Sequence, residues 1–166
     1  HEVLESYGLT VFRQRYSVAV PIDHGASVSL LDEDGKVERS IEAYAIWPNL
    51  IQTSRIPANA VFNGQLIYAE NGELSDLSGK IIKDTIVLME FNSGDNWLNA
   101  AKLGAKAFIF IAPTETSYTE ARGKFLRTPI HFPRLYVSRQ DGITLRERAL
   151  SDSVKVGISL NMQYET

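Results

Sequence analysis

The sequence predicts an α/β domain: a mixed, β-rich sandwich or barrel core flanked by a few helices. Three observations point there. Residues 85–113, TIVLMEFNSGDNWLNAAKLGAKAFIFIAP, read as strand, loop, helix, strand. Val154, Val156, Ile158 and Leu160 alternate with Lys155, Gly157 and Ser159, and such alternation marks a strand with one wet face. Several further runs favour strand and few favour helix.

In chain order, residues 2–7 suit the tail of a helix stopped by Gly8. Val11, Arg13 and Arg15 alternate with Phe12, Gln14 and Tyr16, and Ser17-Val18-Ala19-Val20 leads into Pro21, so a β-rich section is expected there. Residues 28–31 and 36–39 flank Asp32-Glu33-Asp34-Gly35, and Asp-Gly between two β-prone runs predicts a hairpin. Residues 47–63 hold Pro48 and Pro57 without a clear period and read as a long connection packed on the sheet. Gln65-Leu66-Ile67-Tyr68-Ala69 is a strand ending at Asn71-Gly72, and 74–84 is a short turn into the next strand.

Thr85-Ile86-Val87-Leu88-Met89 is apolar and β-branched, which suits a strand covered on both faces. Asn92-Ser93-Gly94-Asp95 breaks the run, and Ser93 or Asp95 can accept from a free N–H at a helix start. Trp97, Ala100 and Ala101 share one face of a helix over 95–103. Lys102 in its last turn complements the helix dipole, and Gly104 supplies a left-handed stop. Ala107-Phe108-Ile109-Phe110-Ile111 is the next buried strand, ended by Pro113. Strand, helix and strand of this length imply a right-handed parallel crossover. Residues 114–128 are polar, with Arg122, Gly123, Lys124 and Arg127, and read as an exposed loop with room for a helical turn. Phe132-Pro133-Arg134-Leu135-Tyr136-Val137 is a strand entered through a proline, and Ser138 caps a helix over 139–150.

The chain of 166 residues matches one domain. Its hydrophobic content of 44% supports a core. A net charge of −3 argues against nucleic acid as the main partner. No apolar run approaches the roughly 18 residues needed to span a bilayer, and no signal peptide is visible. The absence of cysteine removes disulfides and thiol catalysis.

Candidate chemistry is sparse. His1, His24 and His131 are isolated, without the spacing that gathers metal ligands. No Gly-x-Ser-x-Gly elbow occurs. Ser93-Gly94-Asp95 at a helix start suits an anion, although capping is the commoner use of these residues. Asp32-Glu33-Asp34 lacks the spaced carboxylates of a calcium loop and reads as a hairpin tip. Arg122, Lys124, Arg127 and Arg134 form a local positive patch, read either as a solvated loop or as a docking surface.

Three blocks resemble the protease-associated domain, a non-catalytic module of several peptidase families. They are Gly64-Gln65-Leu66-Ile67-Tyr68; residues 83–112, whose helix Trp97-Leu98-Asn99-Ala100-Ala101-Lys102-Leu103-Gly104-Ala105 is similar to the family's spaced small residues before Gly-Ala; and Phe132-Pro133-Arg134-Leu135-Tyr136-Val137-Ser138-Arg139-Gln140-Asp141-Gly142. Residues 2–7 and the Asp32–Gly35 hairpin are similar to the approach to this module in co-catalytic di-zinc exopeptidases of the glutamate carboxypeptidase and transferrin receptor group. Asp84 stands where many members have glycine, and Asn92-Ser93-Gly94-Asp95 replaces the family's cysteine and glycine.

The resemblance implies a swivelling β/β/α fold and a single domain over 1–166, with 1–63 as N-terminal β-rich extension and connection. It implies an accessory domain, not itself an enzyme, in a larger zinc-dependent aminopeptidase or carboxypeptidase. There it would cover the active-site cleft and aid substrate selection or subunit contacts. The implied partners are the catalytic peptidase domain of the same chain, a peptide substrate and a second copy in a homodimer. Zinc belongs to the catalytic domain, and no cofactor to this one. Arg122 and Lys124 are the implied substrate contacts, and the implied location is extracellular, periplasmic or luminal. Two other readings stay open: a ligand- or protein-binding sorting module of a subtilase-type protease or luminal receptor, and a small enzyme on the same kind of sheet.

Overall fold

The computed structural model describes residues 2–57, 62–151 and 153–166. In chain order these form α1 (Glu2–Ser6), β1 (Val20–Leu31), β2 (Val37–Ala45), β3 (Asn63–Tyr68), α2 (Leu74–Leu77), β4 (Ile86–Glu90), α3 (Trp97–Lys102), β5 (Ala107–Ile111), α4 (Tyr118–Arg122), β6 (Arg134–Val137), α5 (Arg139–Ser151) and β7 (Lys155–Glu165). The strands close into a barrel in the order β1-β2-β6-β5-β4-β3-β7, with β7 returning to β1. The run β3-β4-β5-β6 is parallel, and the other seams are antiparallel.

This corrects the expected fold class. The molecule is a mostly β closed barrel, not an α/β sheet flanked by helices nor a layered β/β/α arrangement. Helices α1 to α4 are four to six residues long, too short to make a layer. The misreading has a physical source. Strands β4 and β5 are buried on both faces, which reads as a sheet between helical layers. Here one face lines the barrel instead, and the other is covered by the short helices α2 and α3 and by loops.

Two cores result. Ile86 and Leu88, Ile109 and Ile111, Leu135 and Val137 point inward to meet Val28, Leu30, Val156 and Leu160. The intervening Val87, Met89, Phe108 and Phe110 point outward against Trp97, Ala100 and Ile82. Leu145 joins the interior set from α5. Arg146 of that helix reaches Glu90 at 3.6 Å and lies over the Tyr68 ring at 5.9 Å, so α5 lies where β3 and β4 end.

Local readings fare variously. The hairpin forms, with the Asp32 N–H donating to the Lys36 carbonyl at 2.9 Å. The crossover strands pair in register, Ile86 opposite Ala107 and Glu90 opposite Ile111, and Gly104 sits at φ +91, as a left-handed stop requires. Asp84 sits at φ 63, which explains the glycine expected there; aspartate tolerates this region better than most side chains. The alternation at 11–16 makes no strand, since β1 begins at Val20 and no strand pairing precedes it among the described residues. Phe12 is left 90% exposed. The connection expected at 47–63 packs through the bridges Asn49–Gln52 and Arg55–Asn161, and its residues 58–61 lie outside the described residues.

Candidate functional site

Three segments, 46–56, 91–96 and 117–134, meet over the outward face of β5 and β6, and buried cations join them. Ser117 caps α4 by accepting the Glu120 N–H at 3.3 Å. The Glu120 carboxylate accepts the Gly94 N–H at 2.7 Å. From the other side, the Lys124 ammonium donates to the Gly94 carbonyl at 2.5 Å and lies 3.4 Å from Ser93 Oγ. Gly94 of the crossover loop is thus held through both its N–H and its carbonyl. The anion that the Ser93-Gly94-Asp95 turn suits is supplied at Gly94 by the protein's own Glu120.

Lys124 is fully buried, with its ammonium 5.2 Å from the ring centres of Phe91 and Phe110. Burial pushes its pKa down to about 8, against the upward pull of Glu120 and Asp95. Arg134 is also fully buried. It donates to the Lys124 carbonyl, and to the Trp47 carbonyl at 2.9 Å, and lies over the Trp97 ring at 5.2 Å. Burial pushes its pKa down to about 10, so it stays charged at neutral pH. Trp97 Nε1 donates to the Gly123 carbonyl at 3.0 Å. Glycine is required at 123 because a Cβ there would come within 2.6 Å of the Gly94 carbonyl carbon.

The two residues singled out for substrate contact face different ways. Arg122 is exposed at the end of α4 and lines a groove of about 450 Å³ with Trp47, Tyr118 and Phe125. Lys124 points inward and holds the crossover loop. Among the other sequence candidates, His24 pairs with Glu165 at 2.7 Å, and His131 Nε2 lies 2.7 Å from the Arg55 carbonyl. Among the described residues no three His, Asp or Glu side chains gather into a set that could hold a metal.

Sequence reasoning passed over Trp47 and Phe125, which are 57% and 40% exposed. They wall a second groove of about 340 Å³ with Phe91, Pro113 and Tyr136. A large aromatic in an otherwise polar or proline-rich stretch was the available signal.

No family model matches the sequence, and no curated protein matches it. Solved structures do match in fold. The chain is similar to an aminopeptidase from Aneurinibacillus sp. strain AM-1, with TM-score 0.59 and 16% identity, covering 99% of this chain and 37% of that one. It is similar to a peptidase M28 precursor from Shewanella amazonensis SB2B, with TM-score 0.58 and 14% identity over 89% of this chain and 36% of that one. It is similar also to the psychrophilic subtilisin-like protease Apa1 from the Antarctic Pseudoalteromonas sp. AS-11, with TM-score 0.51 and 15% identity over 89% and 35%. At these identities the likeness is one of fold. The chain spans little more than a third of the length of each structure. No helix among the described residues is long and apolar enough to cross a membrane.

Proposed function

We propose that this barrel is a protease-associated accessory domain of a larger, exported, zinc-dependent exopeptidase, where it shapes access to the catalytic cleft and is not itself catalytic. One observation carries the reading: the same barrel matches about a third of an aminopeptidase and about a third of a subtilisin-like protease. A part common to different kinds of peptidase is better understood as something both use than as the machinery of either, since fold alone does not set function. The three sequence blocks that resemble the protease-associated domain give independent support.

The test measures hydrolysis of aminoacyl-p-nitroanilides and zinc content on the 166-residue chain and on the complete gene product. The expected result is hydrolysis and bound zinc in the complete product and neither in the chain. Hydrolysis by the chain, or about one zinc retained per chain through dialysis, overturns the reading.

A further inference from the structure

Trp47 and Phe125 form a wall shared by two grooves of opposite character. One, of about 340 Å³, is bounded by Phe91, Pro113 and Tyr136 and offers little polarity beyond Thr116 and the buried Lys124. The other, of about 450 Å³, carries Arg122 and Arg127 beside Tyr118, itself 81% exposed. Neither arginine has a carboxylate within ion-pair distance among the described residues.

The platform is held rigid from beneath. Arg134 fixes the Trp47 carbonyl. Asn49 donates to the Ile130 carbonyl at 2.8 Å and accepts the Leu126 N–H at 2.8 Å. Leu50 sits at φ 51, a conformation that a bulky residue adopts only when its surroundings impose it, and the Tyr164 hydroxyl donates to its carbonyl at 2.6 Å.

Charge selects the occupant. The exposed charges at the wall are the Arg122 and Arg127 guanidiniums, with Lys124 and Arg134 buried beneath it, and Glu120, the one carboxylate of residues 117–134, is turned to the Gly94 N–H, on a molecule of net charge −3. A second copy would bring the same positive surface against this one and be repelled. An acidic partner would be drawn in. We propose that the Trp47–Phe125 wall is a peptide-docking site whose occupant is an acidic peptide with a large apolar side chain. The apolar side chain enters the groove beside Tyr136, and the flanking carboxylates meet the Arg122 and Arg127 guanidiniums, whose planar fork suits them. Exposed aromatic and arginine side chains are the types that dominate such contacts. The proposal stands on this surface alone and does not depend on the accessory role in a peptidase.

The experiment uses the 166-residue chain and intrinsic tryptophan fluorescence. Trp97 is fully buried, so a change on titration reports Trp47. The probe is Ac-Asp-Glu-Leu-Phe-Asp-Glu-NH2, with Ac-Lys-Lys-Leu-Phe-Lys-Lys-NH2 and Ac-Asp-Glu-Gly-Ser-Asp-Glu-NH2 as controls. The expected result is a saturable blue shift with the first peptide alone, weakened by raising salt from about 50 to about 300 mM. Arg122→Gln with Arg127→Gln should raise Kd about tenfold or more, and Phe125→Ala should do the same, both with unchanged melting temperature. Equal binding of all three peptides, or of none, overturns the proposal. So does a concentration-dependent dimer in ultracentrifugation that shields Trp47 without peptide, since the occupant is then a second copy. Because hydrolysis is not read here, failure of this test leaves the accessory reading untouched, and the reverse also holds.

Discussion

Lys124 carries a buried charge, and its protonation is therefore linked to stability. In the unfolded chain the amine titrates near the ordinary 10.5, and in the folded chain near 8. Between those values the unfolded state holds more protons, so stability rises with pH across this window and falls as pH drops towards about 8. The slope for one proton is at most about 1.4 kcal/mol per pH unit. Tyr68 acts oppositely and later. Burial, with help from the Glu90 carboxylate, raises its pKa from 10.0 to about 12, so the folded state holds the extra proton and stability falls with pH in that range. Urea midpoints of the wild type should therefore climb from about pH 8 towards pH 10. In Lys124→Met, which fills the same space without a charge, they should be flat over that range. The Gly94 carbonyl loses its donor in this variant, at about 1–3 kcal/mol, which a domain stability of about 5–15 kcal/mol can absorb, so the variant should fold. A wild-type midpoint that does not move would show that the ammonium is not desolvated. Arg134 cannot be replaced as freely, because the Lys124 and Trp47 carbonyls would lose their donor, at about 1–3 kcal/mol for each orphaned group.

At the scale of elements, the crossover helix shows what local sequence can specify. Trp97 and Ala100 bury completely and Ala101 packs beside them, at the spacing that marked the helix face. Gly104 ends the element where a left-handed residue was expected. Trp97→Ala should cost roughly 3–5 kcal/mol, a large share of a domain stability of about 5–15 kcal/mol. The Gly123 carbonyl loses its donor as well. Gly123→Ala changes no burial but sets a methyl group against the Gly94 backbone, and should cost about 1–3 kcal/mol through displacement. Urea melts check both. Amide chemical shifts at 93–95 should move in the glycine variant if the two loops are in contact, and stay put if they are not.

What was not legible at this scale has two causes. The alternation at 11–16 looks like a strand, but a strand needs a neighbour, and no local pattern reveals that none arrives. Lys124 and Arg134 look like a solvated basic loop, because nothing near them in sequence announces Phe91, Phe110 and Trp47, which bury them from segments 14 to 87 residues away. Arg122 was legible as exposed and Trp47 was not, since aromatic side chains are ordinarily placed inside.

Barrel closure belongs to the whole molecule. It depends on β7 pairing with both β1 and β3, contacts between segments far apart in sequence that no window of residues contains. The alternation of β7 was clear, yet it fixed only which side chains turn inward, not which strands lie on either side. Closure makes β7 the seam on which the interior depends. Val156, Ile158, Leu160 and Met162 are all buried, each worth about 1.5–3 kcal/mol, and together they approach the full stability of a typical domain. Without β7, β1 and β3 would also present open edges, which invite association with other chains. A chain ending at residue 154 should therefore lose cooperative unfolding in urea and self-associate. Ile158→Ala in the intact chain should keep cooperativity and lower the midpoint, at a cost of about 2–5 kcal/mol. A truncated chain with a sharp, wild-type transition would mean that the remaining strands form a stable open sheet and that the seam is ornamental. Seam formation between distant segments should also make folding slow, on the millisecond-to-second scale typical of barrels with long-range pairing. In stopped-flow refolding, burial of Trp97 on the outward face of β5 should then share a single phase with the gain of β signal in circular dichroism. Trp97 burial clearly ahead of strand formation would show that the outer core assembles before the barrel closes.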